Sequence, residues 1–158
     1  MDTNILILLD HPDYVDSKAN KAMLEAVKDL DNVNVMDITK IEPTMENYMD
    51  AIAGADVIVF QFPMWWFQAP APLANWLDKV MLQLMDNPGF SGKKLQVAVT
   101  TGSPTSFYTE KLDAILTPYK EIAAYVGMSY LPPFTFSADN DDDIKKGAKD
   151  YRKLLEAM

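Results

Sequence analysis

Apolar positions in this chain fall into two alternating patterns. Short, nearly continuous runs of Ile, Leu, Val and Phe occupy residues 4–9, 33–37, 56–62, 95–101 and 128–136. Runs of that length and composition are what strands buried on both faces require. Between them the apolar residues space out at i, i+3, i+4 and i+7, the signature of a helix with one buried stripe. Ala22, Met23, Ala26, Val27 and Leu30 form one stripe, with Ser17 placed to cap its start. Residues 44–53 form a weaker one, and Leu73, Trp76, Leu77, Val80, Met81 and Leu84 a strong one that puts Trp76 in the core. A fourth helix is expected up to Val126, with Thr117 as cap, Pro118 in its first turn and Gly127 as its stop. The last stripe is Ile144, Ala148, Tyr151, Leu155 and Met158.

The order is therefore βαβαβαβαβα, with five strands and five helices. Right-handed crossovers then predict a doubly wound, five-stranded parallel sheet in the order 2-1-3-4-5, with helices on both faces. The final strand must lie at an edge, because Pro132 and Pro133 cannot both sit in a central ladder. Residues 1–158 read as one domain, with no linker and no internal repeat.

In such a sheet, ligands bind beyond the carboxyl ends of the strands where the strand order reverses. Three loops fall there. The first runs from His11-Pro12 to Ser17 and Asn20, and its free amides at a helix start make an anion cradle. It has neither a glycine-rich dinucleotide turn nor a phosphate-loop lysine, so a single terminal phosphate suits it best. The second loop is Pro63, Met64, Trp65, Trp66 and Phe67. Three consecutive aromatics cannot all enter one core, so one is expected in the core and at least one lining a pocket. The third is Thr100, Thr101, Gly102 and Ser103, with hydroxyls and a glycine that permits close approach. Tyr108 follows, with a phenol able to donate to developing negative charge. Each residue also has a plain structural use: Ser17 as cap, His11 bonding a backbone group, the threonines in an ordinary turn.

Charge and composition narrow the chemistry. The net charge of −9 disfavours nucleic-acid binding. The acidic run at 139–143 reads as a solvated helix start. The chain has no cysteine and one histidine, His11, which excludes thiolate chemistry and a multi-histidine metal site. The first apolar run is too short for a leader, and prolines and amides break the apolar stretch 57–77, so a cytoplasmic location is expected.

The segments HPDYVDSKAN, QFPMWWFQAPAPLANWLDKV, TTGSPTSFY and YVGMSYLPPF resemble the flavodoxin-like NAD(P)H:quinone oxidoreductases. The likeness spans nearly the whole chain and is nearest to the short bacterial quinone reductases, including ancillary subunits of potassium-efflux systems. It implies a non-covalently bound flavin, FMN rather than FAD for so short a chain, and usually a homodimer. It implies ping-pong catalysis, in which NAD(P)H gives a hydride to the flavin and a quinone then takes it up. By position, His11, Ser17 and Asn20, with the amides of Lys18 and Ala19, match the phosphate contacts. Pro63, Met64, Trp65, Trp66 and Phe67 match the segment along the isoalloxazine, Thr100, Thr101 and Gly102 its pyrimidine-edge loop, and Tyr108 the tyrosine beside the reduced flavin. The chain also departs from the family pattern. Ser103 replaces a second glycine, no histidine follows His11, Trp65 stands where a smaller or polar residue is common, and the connection 85–90 is short, which implies an open pocket. Two other functions stay open: a regulatory subunit on a membrane transporter, and a single-electron carrier, although carriers use a Ser/Thr-Gly phosphate loop after the first strand rather than His11-Pro12.

Overall fold

The computed structural model describes residues 2–158, the side chain of Thr105 excepted. Strands β1 (Ile5–Leu9), β2 (Val33–Asp37), β3 (Val57–Pro63) and β4 (Lys94–Thr101) are parallel neighbours in the order β2-β1-β3-β4. Registers such as Ile5↔Val57 and Val57↔Lys94 bring their carboxyl ends to one edge of the sheet. The expected fifth strand is two pieces, β5 (Ser129–Tyr130) and β6 (Phe134–Ser137), both paired with β4. The break falls at Leu131-Pro132-Pro133, because a proline has no N–H to give a ladder. A buried side chain bridges part of the gap: Gln96 Nε2 donates to the Pro132 carbonyl at 2.9 Å.

Side chains along each strand alternate between two cores. Leu6, Leu8, Ile58, Phe60, Val97 and Val99 face one side, with Tyr48, Trp76, Val80 and Ala123 from the helices there. Ile5, Ile7, Val57, Val59 and Ala98 face the other, against Met23, Val27, Tyr151 and Leu155. Burial on both faces is why β1 reads as an unbroken apolar run and β3 as one interrupted only by Gln61, while the edge strand β2 is only partly covered.

The first helical layer is α1 (Ala19–Val27) and the C-terminal α7 (Asp141–Glu156). Asn140 Oδ1 accepts from Asp143 N (2.8 Å) at the start of α7, so the acidic run does open a helix. Gly147 lets α7 close onto β6, where a Cβ would sit 2.5 Å from the Phe136 ring. The other layer holds α2 (Met45–Gly54), capped by Thr44, and α3 (Ala71–Trp76), which continues through a π-helical turn, Leu77–Met81, into α4 (Leu82–Leu84). It also holds α5 (Leu112–Ile115) and α6 (Thr117–Val126). Gly127 stops α6 with a left-handed φ of 81°. Thr117 is not its cap: α5 runs almost directly into α6, and the Thr117 hydroxyl donates back to the Ala114 carbonyl at 2.8 Å.

Candidate functional site

Beyond β1 the chain reaches His11, which is 8% exposed. Its Nδ1 accepts the Asp13 amide N–H at 3.1 Å, so the neutral ring carries its proton on Nε2. Burial lowers the imidazole pKa, against the raising effect of the Asp13 carboxylate, which keeps the ring in that neutral form. A single turn, Tyr14–Asp16, leads to Ser17, whose Oγ accepts from Asn20 N at 3.0 Å. The serine therefore does cap α1. The N–H groups of Lys18 and Ala19 open that helix, where no preceding turn supplies a carbonyl.

The loop after β3 is tied down along its length. Met64 N donates to the Thr100 carbonyl (2.8 Å), Ala69 N to the Tyr119 hydroxyl (3.0 Å) and Leu73 N to Asp10 Oδ2 (3.0 Å). Between these anchors, Trp65 and Gln68 exchange backbone hydrogen bonds of 2.9 and 3.2 Å around Trp66 and Phe67. Both central residues are left-handed, with φ of 52° and 66°. Such a turn normally takes Asn-Gly; a side chain with a Cβ costs about 1–2 kcal/mol in that region. None of the three aromatics enters the core as the sequence suggested one would, because the tight turn directs the chain outward. Trp65 stands edge-on to His11 with ring centroids 5.7 Å apart, Trp66 is 87% exposed, and Phe67 meets Tyr108 edge-on at 6.0 Å. Trp76 is in the core, as its stripe predicts.

At the end of β4, Thr100 Oγ1 accepts from Asn20 Nδ2 (3.3 Å) and Thr101 Oγ1 donates to the Ser103 carbonyl (2.9 Å). A Cβ built on Gly102 meets nothing within 4 Å, and its φ is one that any residue adopts. Neither backbone strain nor internal packing asks for glycine there.

These three stretches form the wall of one cavity of about 360 Å³. His11, Ser17, Lys18, Ala19 and Asn20 line one side, Pro63, Met64 and Trp65 another, and Thr100, Thr101 and Gly102 the third. Trp66, Phe67 and Tyr108 lie outside this lining. Two wall residues that the sequence reading missed are Ala138, which follows β6, and Ile144, in the first turn of α7. Both are apolar and ordinary in type; a hydrogen bond from Ala138 N to the Thr101 carbonyl (2.7 Å) holds Ala138 there, and the start of α7 carries Ile144. A second omission is Gln61, read only as a polar interruption, which is buried behind the wall and donates to Asn20 Oδ1 at 3.0 Å.

The cavity combines helix-start amides, an imidazole N–H and hydroxyls with apolar surface from Pro63, Met64, Trp65 and Ile144. Its one charged lining residue, Lys18, has its ammonium at the exposed rim, 3.9 Å from Asp141. A planar ring with polar edges, carrying one anionic group at the α1 start, fits that donor set. A larger groove of about 800 Å³ lies between α3–α4 and α6, lined by Leu77, Met81, Leu82, Ile122 and Tyr125. It lacks the convergent donors of the smaller cavity. Among the described residues, no group of three or more His, Cys, Asp or Glu is placed to hold a metal ion, and no helix is long and apolar enough to cross a membrane.

The chain is 34% identical to the glutathione-regulated potassium-efflux system ancillary protein KefF of Enterobacter sp. (strain 638), over 96% of this chain and 94% of that protein. Among solved structures it is similar to general stress protein 14 of Treponema denticola in complex with FMN, at 29% identity and a TM-score of 0.87, covering 98% of both chains. A structure described as an NADPH-quinone reductase from P. pentosaceus shares the fold at a TM-score of 0.86 and 22% identity, over 97% of this chain and 98% of that one. Residues 3–155 match the family described as Flavodoxin-like fold (Flavodoxin_2), and the chain belongs to that family.

Proposed function

We propose that the protein is an FMN-dependent NAD(P)H oxidoreductase that passes a hydride from a nicotinamide to the flavin and on to a quinone or similar small acceptor, by a ping-pong route. The observation that carries this reading is the convergence of three strand-end loops and the α1 start on one cavity with donors for a phosphate and for a planar heterocycle. The relative of known structure that holds FMN supports FMN over FAD. In this reading Ser17, the amides of Lys18 and Ala19, His11 and Asn20 hold the phosphate side. Pro63, Met64 and Trp65 give the ring a flat apolar face, with Trp66 and Phe67 along its open side. Thr100, Thr101 and Gly102 meet its polar edge. When bound, the flavin supplies the two-electron chemistry; the chain's contribution is to orient it and exclude water from one face. Tyr108, packed on Phe67 beyond the lining, is assigned the donor role on the open side. If so, Tyr108→Phe slows flavin reduction or reoxidation in rapid mixing and leaves binding intact.

The deciding experiment is the visible spectrum of the purified protein with FMN, before and after NADH or NADPH. A flavin band that shifts on binding and bleaches with reductant supports the reading. Absence of binding to FMN and to FAD at excess concentration refutes it. The likeness to KefF over almost the full chain favours a second reading, association with a membrane potassium-efflux transporter from the cytoplasmic side. Co-purification with such a transporter, retained by cavity variants, tests that. The apolar groove beside α4 and α6 supports a homodimer, to be checked by light scattering with Leu82→Glu.

A further inference from the structure

Behind the cavity runs a buried line of side-chain hydrogen bonds. The Tyr151 hydroxyl of α7 donates to Gln61 Oε1 at 3.0 Å. Gln61 Nε2 donates to Asn20 Oδ1 at 3.0 Å, and Asn20 Nδ2 donates to Thr100 Oγ1 at 3.3 Å. Tyr151 and Gln61 have no solvent exposure and Asn20 is 1% exposed. The line thus crosses from α7 through β3 and α1 to β4, and ends on two residues that line the cavity. Neither Gln61 nor Tyr151 touches the cavity itself.

An amide can be turned over, exchanging its donor and acceptor ends, so what holds each one matters. Gln61 Nε2 also lies 3.5 Å from the backbone carbonyl of Asn20. Reversing Gln61 would set its oxygen against that carbonyl, acceptor facing acceptor. It would also take from the Tyr151 hydroxyl its only acceptor among the described residues. Burial pushes the Tyr151 phenol well above its ordinary range, so the hydroxyl keeps its proton and must donate it. With Gln61 held this way, Asn20 must turn Oδ1 inward to meet Nε2, which leaves its NH2 group toward the cavity. Thr100 takes one N–H and the other is available to a ligand.

We propose that Gln61 and Tyr151 are positioning residues that fix the Asn20 amide with its donor edge toward the cavity, so that the site meets an oxygen of the flavin nucleotide with a donor. This rests on the flavin reading above. The C-terminal helix thereby acts on the cofactor at one remove, through a hydroxyl that never touches it. A pre-set amide loses little freedom on binding, whereas a free one samples both orientations and presents an acceptor in one of them.

The test is a double-mutant cycle on FMN affinity, followed by flavin fluorescence, using Tyr151→Phe and Asn20→Ala. Tyr151→Phe alone weakens FMN binding about five- to tenfold, the loss of one directed hydrogen bond. In the Asn20→Ala background the same change has less than a twofold effect, since there is no amide left to orient. A general loosening of α7 would give equal losses in both backgrounds, and that result, or unchanged affinity in Tyr151→Phe, overturns the assignment. A second readout needs no flavin: hydrogen exchange of the Asn20 side-chain N–H that is bonded to Thr100, by NMR on the free protein. Slow exchange in the wild type and faster exchange in Tyr151→Phe is expected. Fast exchange already in the wild type overturns the assignment whether or not the variant folds. A wild-type protein that binds no FMN refutes the flavin reading instead, and the exchange data then judge the network alone.

Discussion

Asp10 is a carboxyl group placed where its charge is unwelcome, and removing that charge should stabilise the protein at neutral pH. The residue follows β1, is 1% exposed and caps the start of α3 by accepting the Leu73 amide through Oδ2. Its other oxygen, Oδ1, is buried without a hydrogen-bond partner. Desolvation, helped by the Asp37 carboxylate and opposed by the Leu73 N–H, raises its pKa from 3.8 to about 7. A raised carboxyl pKa means the folded state holds a proton that the unfolded chain has released, so stability falls as pH rises between about 4 and 7 and the full penalty is present above that range. Asp10→Asn keeps an acceptor for Leu73 and cannot ionise. The neutral acid leaves one O–H unpaired and the amide two N–H, so at pH 4 the variant should be equal to the wild type or less stable by about 1 kcal/mol. At pH 8 the variant should be more stable by about 2–4 kcal/mol. The upper figure is the pKa displacement taken at 1.36 kcal/mol per pH unit, and the lower allows for solvent relaxation around the carboxylate. For a domain of this size that is a rise in Tm of about 5–15 °C. Urea unfolding at a series of pH values measures it directly. Equal stabilities at pH 8, or an advantage that grows toward acid, would show that the carboxylate is solvated or paired and refute the reasoning.

Two further changes separate ligand space from protein packing. Gly102→Val should leave urea stability within about 0.5 kcal/mol, since its Cβ direction is empty, yet weaken FMN binding at least tenfold; a variant that binds normally would place the ligand elsewhere. Trp66→Asn removes an exposed indole from a left-handed position and should add about 1 kcal/mol of stability by chemical denaturation; no gain would mean that the aromatic turn makes compensating contacts.

The elements that could be read from the sequence are those whose partners repeat locally. β1 to β4, α1, the α3–α4 stretch and α7 announce themselves, and α2 more weakly, because burial on both faces, or on one stripe, imposes a period on the residues. Most of the cavity wall was legible for a related reason: a strand end is marked by where an apolar run stops, so His11, Pro63 and Thr100 could be located by counting. What could not be read depends on contacts distant in the chain. Ala138 enters the wall through a bond to Thr101 and Ile144 through the placement of α7, and nothing in two apolar residues signals either. Gln61 lies 41 positions from Asn20 and Tyr151 lies 90 from Gln61, so their network has no local period at all. Tyr151 was visible as a core position, but its hydroxyl partner was not. The outward turn at Trp66 and Phe67 defeated expectation because it breaks the usual turn chemistry; only the backbone conformation reveals it.

The charge balance gives the sharpest test of how the site holds an anion. A protein of net charge −9 repels a phosphate at long range, and the Lys18 ammonium at the rim is shared with Asp141. If the binding free energy came from surface cations, added salt would screen it away, since the Debye length is about 10 Å at 0.1 M. On the proposed reading the donors are of another kind: the first amides of α1, the Ser17 hydroxyl, the His11 Nε2–H and the Asn20 amide, which would act at contact distance from partly buried positions that ions do not screen. What salt does screen is the repulsion between the acidic body and the incoming ligand. FMN affinity should therefore hold steady or tighten by up to about threefold between 20 and 200 mM NaCl, and Lys18→Ala should cost little. Both can be read from fluorescence titrations. A tenfold weakening over the same range, abolished in Lys18→Ala, would show that the rim lysine and not the helix start carries the phosphate.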